Sequence, residues 1–231
     1  MTIDRRLGIE GAATATGAVA VVDTFRAYST AAYLLDRGIE RLMLAATIRE
    51  ARALSAAMPG ALLCGESRGR RPDDFDLGNS PAEVVEHDDL AGRTVVLRTS
   101  AGTRCLLAAI GNGAQPVFAA SLVVASATVR TLASFAPLTI VASGRGGIEP
   151  ADEDEATADL ITDLVRGTAT VEAEGAAISE RIRVGTGAAR LLAADWAHPD
   201  DVALCLDLDR FPFAMRAVRN RDTVLLEAVD L

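Results

Sequence analysis

The stretch GAVAVVDTFRAYST, residues 17–30, changes character at a single position. Gly17–Val22 is an almost unbroken apolar run, the pattern of a strand buried on both faces of a parallel sheet. Asp23 ends it, and Thr24–Thr30 leads into a helix over Ala31–Arg37 that Gly38 closes. The same change recurs along the chain. Leu42–Ala45 is a short strand, Thr47 caps a helix running to about Met58, and Pro59-Gly60 stops it. Ala61–Cys64, Thr94–Leu97, Val117–Ala120 and Thr139–Ala142 read as further strands. Helices are expected over Cys105–Ile110, over Val123–Phe135 with Ser121 as cap, and after the segment Glu149–Glu155 through about Arg166. The chain then stays mostly helical to Cys205 and closes with strands Ala214–Val218 and Thr223–Ala228 around a turn at Asn220. This alternation predicts one α/β domain over residues 1–231, in three α/β/α layers around a largely parallel or mixed sheet.

Four polar groups share one position in that pattern. Asp23, Glu66, Thr99 and Ser143 each follow a predicted strand and precede a helical segment. In a parallel sheet the carboxyl ends of the strands lie along one edge, and ligands bind outside it. The four segments are therefore expected to meet in one cleft. Asp23 and Arg26, one helical turn apart, are either a surface ion pair or a metal-ligating carboxylate beside a phosphate-binding guanidinium. Thr99–Thr103, with the Gly102 N–H, is either an ordinary capped helix start or an anion cradle. Ser143-Gly144 opens a flexible glycine run. Asp152–Glu155 either stabilises a helix N-terminus or, its charges repelling one another, lends one or two carboxylates to a cation. CGESRGRRPDDFDLGNSP, residues 64–81, is too long, polar and rich in glycine for a helix or strand. It is a solvated surface loop or a functional one, and it ends in a helix start with Ser80 as cap and Pro81 in the first turn.

Composition narrows the chemistry. A formal net charge of −9 argues against nucleic acid as a partner. All 23 basic residues are arginine, which excludes a P-loop lysine or a Schiff-base lysine. The two histidines, His87 and His198, sit in polar connections, against a histidine zinc site or a catalytic triad. No apolar run approaches the roughly 20 residues of a membrane span, and the N-terminus shows no apolar leader. Cys64, Cys105 and Cys205 lack metal-ligand spacing and read as reduced, buried thiols of a cytoplasmic protein. Carboxylates, arginines and hydroxyls must carry any chemistry, a set suited to oxygen-ligated Mg²⁺ and small anions.

Taken in order, Asp23-Thr-Phe-Arg-Ala-Tyr-Ser-Thr30, Gly65-Glu-Ser-Arg-Gly69, Asp74-Phe-Asp-Leu-Gly-Asn-Ser-Pro81, Thr99-Ser-Ala-Gly-Thr103 and Glu153-Asp154 resemble the 2-phosphosulfolactate phosphatase family over about residues 17–210. The resemblance implies a Mg²⁺-dependent phosphomonoesterase that converts 2-phospho-3-sulfolactate to 3-sulfolactate and phosphate, a step towards coenzyme M. It implies metal ligation by Asp23, Glu66, Glu153 and Asp154. Catalytic roles fall to Asp23, Arg26 and Glu66, and to Asp76 as a base or a loop brace. Substrate contacts are implied for Arg26, Arg68, Asn79, Ser80, Thr99, Gly102, Thr103, Ser143 and Gly144. The family's hydroxyl segment usually reads Thr-Thr-Asn-Gly-Thr, and here Ser100 and Ala101 stand in its second and third places. That difference keeps a non-catalytic small-anion binding protein open as a second reading. Association into a homodimer stays open as well.

Overall fold

The structure is a computed structural model that describes residues 2–230. Its nine strands join one mixed sheet in the order β1-β7-β2-β6-β8-β9-β3-β5-β4. In chain order they are β1 (Ile3–Leu7), β2 (Ala18–Val22), β3 (Arg41–Leu44), β4 (Leu62–Gly65), β5 (Thr94–Arg98), β6 (Val117–Ala120), β7 (Leu138–Ala142), β8 (Ala214–Asn220) and β9 (Thr223–Val229). β2 shows why the apolar run becomes a central strand. Val19 and Val21 face a core that holds α2 (Ala27–Asp36) and α5 (Gly102–Gly111). Ala18, Ala20 and Val22 face the opposite layer, α6 (Ala125–Leu132) and α7 (Asp152–Arg166). A side-chain period of two with helices on both faces requires apolar residues at every position.

β1, β7, β2 and β6 are parallel to one another, as are β3, β5 and β4. The hairpin β8–β9 lies between these blocks, antiparallel to β6 on one side and β3 on the other. Following those senses across the sheet, the two blocks run in opposite directions. In a flat sheet the carboxyl ends of β2 and β5 would lie on opposite edges and about 24 Å apart laterally, five steps of about 4.8 Å. Instead the Gly102 N–H, just past β5, donates to Asp23 just past β2 over 2.9 Å. Right-handed twist supplies the difference, since five steps of about 20–25° turn β5 through about 100–125° relative to β2. The sheet curls around α2, whose residues Ala27–Leu34 are all buried. The expectation of clusters along one edge of a parallel sheet is thus corrected: the clusters converge because a mixed sheet is strongly twisted.

Other boundaries also move. The N-terminal residues form β1 and α1 (Gly8–Ala13), neither of which was expected. β1 reads IDRRL and is an edge strand with four of its five residues half-buried and one exposed, so it lacks the apolar signature of the central strands. Helix α2 begins at Ala27 rather than Ala31. Ser121 does not cap, and a short 3-10 turn (Leu122–Val124) precedes α6. The final turn falls at Arg221-Asp222, with Asn220 still paired to Thr223. α3 (Ile48–Ala56) and α4 (Pro81–Glu86) carry their expected caps, the Thr47 and Ser80 hydroxyls accepting from the Glu50 and Glu83 N–H groups. α8 (Val171–Arg183), α9 (Thr186–Leu192) and α10 (Asp201–Cys205) pack with α7 as a helical annex around Leu160, Ile182, Leu191 and Val202. Among the described residues no helix is long and apolar enough to cross a membrane.

Candidate active site

A cleft of about 390 Å³ opens where the ends of β2, β4, β5 and β7 meet α7 and α9. Four carboxylates line it, Asp23, Glu66, Glu153 and Asp154, together with four arginines, Arg26, Arg68, Arg145 and Arg190. Phe25, Leu191 and Trp196 supply an apolar wall.

Asp23 is buried at the start of α2. Its Oδ1 accepts from the Ala27 N–H at 3.1 Å, and its Oδ2 from the Gly102 N–H and the Ser143 hydroxyl at 3.1 Å. Asp154 is held in the same way by the Thr24 N–H, the Gly144 N–H and the Ser143 hydroxyl, at 2.7, 2.9 and 3.0 Å. Ser143 has a single hydroxyl proton and two carboxylate neighbours, so it cannot donate to both at once. Burial raises Asp23 to about 6, against the hydrogen bonds that lower it. Burial and then the Asp23 charge hold Asp154 well above the carboxylate range. Burial, and next the hydrogen bond shared with Asp152, push Glu153 up to about 8. The Glu153 Oε2 is buried without a partner, and its Oε1 lies 3.9 Å from Arg190.

The acidic run at the start of α7 is divided among separate tasks. Asp152 accepts from the Thr186 and Gly187 N–H groups; burial alone would raise it, but such hydrogen bonds bring it down to about 2. Glu155 pairs with Arg5 at 2.8 Å. Only Glu153 and Asp154 enter the cleft. Glu66 follows β4 and is bound by the Ser100 N–H, the Ser100 hydroxyl at 3.0 Å and the Gly69 N–H at 2.7 Å.

Magnesium takes one or two carboxylates and keeps several waters. Asp23 and Asp154 fit that use, as paired acids bridged by one hydroxyl and destabilised as anions. Among the described residues, however, no three His, Cys, Asp or Glu side chains converge closely enough to enclose an ion. The set Asp23, Glu66, Glu153 and Asp154 therefore shares a cleft but does not form a preformed cage. Asp23 and Asp154 are joined through Ser143, whereas Glu66 is tied to Ser100 and Gly69 and Glu153 faces Arg190 without a hydrogen bond.

Several residues expected in the cleft are directed elsewhere. Thr103 is fully buried and exchanges hydrogen bonds with Thr99, accepting from the Thr99 N–H at 3.0 Å, so the pair closes the start of α5; Thr99 alone lines the cleft. The Gly102 and Gly144 N–H groups already serve Asp23 and Asp154, and of the two only Gly144 lines the cleft. Ser143 bridges those two acids and does not line the cleft. Ser80 donates to Asp201 at 2.5 Å while capping α4. Asp76 is exposed outside the cleft and accepts from the Leu63 N–H at 2.7 Å, the brace of the two roles considered. Asn79 does line the cleft, its Oδ1 buried without a partner. Arg68 lines it from an exposed position with a positive φ of 55°, and its N–H donates to Ser100. Burial pushes all three cysteine thiols up, away from nucleophile chemistry.

The wall from the helical annex was not anticipated. Arg190, Leu191, Trp196 and Gly187 come from a region read only as helical. The chain's single tryptophan, set in polar sequence, is the one signal available for it.

Fold and cleft together define a class: a three-layer α/β protein whose acid- and arginine-lined cleft suits a small anionic ligand. The chain belongs to the 2-phosphosulpholactate phosphatase family, whose sequence model matches residues 7–219. It is 34% identical over 202 residues to a Thermus thermophilus protein named "probable 2-phosphosulfolactate phosphatase", covering 87% of this chain and 78% of that one. A Deinococcus radiodurans protein of the same name is 37% identical over 171 residues, covering 72% and 70%. A Thermotoga petrophila protein, again so named, is 36% identical over 127 residues; that match spans only about half of each chain, 55% and 53%.

Proposed function

We propose that the cleft hydrolyses the phosphate ester of a small, multiply anionic acid, 2-phospho-3-sulfolactate, releasing 3-sulfolactate and phosphate. The observation that carries this reading is the meeting of four arginines and four carboxylates in one cleft, in a chain whose family match runs nearly end to end. An ester bearing phosphate, carboxylate and sulfonate needs several guanidinium groups, and a phosphoryl group needs charge neutralisation as it transfers.

Arg26 lies beside the carboxylates and presents its free N–H groups to phosphoryl oxygens. Arg68 and Arg190, at other points of the wall, receive the non-reacting anionic groups. The Asn79 amide donates to the ester, and Phe25, Leu191 and Trp196 exclude water from the bound molecule. Asp23 and Asp154 would hold Mg²⁺, which when bound supplies Lewis-acid polarisation of a phosphoryl oxygen. The raised Asp23 and Asp154 acids support that reading, since a bound cation would offset both burial and repulsion.

The test is phosphate release from 2-phospho-3-sulfolactate and from a panel of other phosphomonoesters, with Mg²⁺ and with a chelator. Mg²⁺-stimulated release highest with 2-phospho-3-sulfolactate is expected. Binding of the ester without release would mean a small-anion binding protein instead. Release unaffected by the chelator would remove the metal from the reading.

A further inference from the structure

Arg26 lines the cleft yet is only 5% exposed, because three groups pack against its guanidinium. Its Nη1 donates to Asp201 Oδ2 at 2.7 Å, and its Nη2 to the Gly69 carbonyl at 3.1 Å. The guanidinium carbon lies 5.0 Å from the centre of the Trp196 ring. Two of five donors are thus engaged, leaving three for a ligand.

Asp201 is fully buried in the first turn of α10. Its other oxygen accepts from the Ser80 hydroxyl at 2.5 Å and the Ala82 N–H at 3.3 Å. Both oxygens are occupied, and Asp201 does not line the cleft. Whatever it does for a ligand it does through Arg26. A buried ion pair is weak evidence for stability, because well-packed apolar groups often serve as well. What the pair does achieve is geometric: a planar fork held at one edge by a carboxylate and on one face by an indole keeps one orientation.

We propose that Asp201 is the positioning residue of Arg26, fixing the guanidinium so that its free N–H groups meet an anionic oxygen, with Ser80 holding Asp201 in turn. This assigns Ser80 a bracing role in the Asp74–Pro81 segment. It rests on Arg26 receiving the phosphoryl group, as set out under Proposed function.

The test uses the full chain and two readouts, the affinity for inorganic phosphate by calorimetry and kcat/KM for 2-phospho-3-sulfolactate. Asp201→Asn should weaken phosphate binding tenfold or more and lower kcat/KM in step. Placed on Arg26→Gln, the same change should cost less than twofold further, since the group it positions is gone. Equal losses in both backgrounds would overturn the proposal, because Asp201 would then act independently of Arg26. If Asp201→Asn does not fold, Ser80→Ala keeps the ion pair and removes its brace together with the side-chain cap of α4. Phosphate binding by the folded Ser80→Ala protein should weaken severalfold; an unchanged affinity with a lowered melting temperature would mean a purely structural role and would overturn the proposal. Weakened phosphate binding in a protein that hydrolyses no phosphoester would uphold the positioning role and reject the phosphatase reading.

Discussion

Asp23 is held from three sides. Both its oxygens accept backbone N–H groups, from Ala27 and Gly102, and Oδ2 also accepts from Ser143. In Asp23→Asn one of those N–H groups must face an amide NH₂, donor against donor, a loss of about 1–3 kcal/mol. Removing a buried charge offsets part of it, so the variant should fold with a modestly lower melting temperature. Hard cations depend on anionic oxygen, so kcat/KM should drop about 10²-fold, or about 2.7 kcal/mol of transition-state stabilisation. Kinetics as a function of Mg²⁺ concentration, with a thermal melt as control, checks both numbers. A folded variant with parental activity at limiting Mg²⁺ would show that Asp23 is no ligand. Arg26→Gln should lose about 10²–10³ in kcat if its N–H groups contact the transferring phosphoryl. A loss confined to KM would mean that it binds ground state and transition state alike.

At the scale of elements, the first turn of α5 is where strand ends from the two sheet blocks touch. Gly102 sits there because a Cβ would come 2.7 Å from Asp23 Oδ2 and 3.0 Å from the Ala27 Cβ. Its backbone is otherwise ordinary for a helix, so Gly102→Ala should fold and keep its circular dichroism. The methyl group should displace the Asp23 carboxylate and lower kcat/KM tenfold or more. Unaltered kinetics would show that α5 can shift away and that this contact does not hold the acid. The long loop after β4 is likewise an element in its own right. Leu77 bridges to Cys64, its N–H donating to the Leu63 carbonyl and its carbonyl accepting from the Gly65 N–H. Its charged residues pair outward, Asp74 with Arg52, Arg71 with Glu83 and Arg70 with Asp195, rather than with one another.

For the whole molecule, the buried acids link stability to pH. Asp23 is raised from 3.8 to about 6 and Glu153 from 4.5 to about 8. Between those limits the folded chain holds protons that the unfolded chain has released. Stability contributed by these groups is therefore present at low pH and falls as pH rises through 6 and then 8. Metal-free protein should melt at a higher temperature near pH 5 than near pH 8. Mg²⁺ should raise the melting temperature more at pH 8, where the acids are ionised, than at pH 5. A Mg²⁺ increment independent of pH would separate the ion from these carboxylates. Acid denaturation through groups elsewhere sets the lower limit of the window, so the comparison belongs above pH 5.

Local sequence determined most of the elements and part of the site. Val19 to Val22 could only be a strand covered on both sides, Ser80-Pro81 could only open a helix, and polar groups at strand ends had to meet a ligand edge or water. Asp23, Glu66 and Thr99 were legible because each stands where an apolar pattern stops, while Glu153 and Asp154 were legible as members of an acidic run and as a pair through the family resemblance. Twist is a property of the assembled sheet, so the convergence of two oppositely directed blocks left no mark in any one segment. The same holds for which polar atoms stay free. Gly102, Ser143 and Ser80 have the right chemistry for a ligand, but tertiary packing gives them protein partners first. Arg190 and Leu191 lie more than 160 residues from Asp23 and were invisible for the opposite reason. Nothing local distinguishes a helix-borne arginine at a cleft from one in solvent, because only the folding of the annex onto the sheet, by burial of Leu160, Ile182 and Leu191, brings them there.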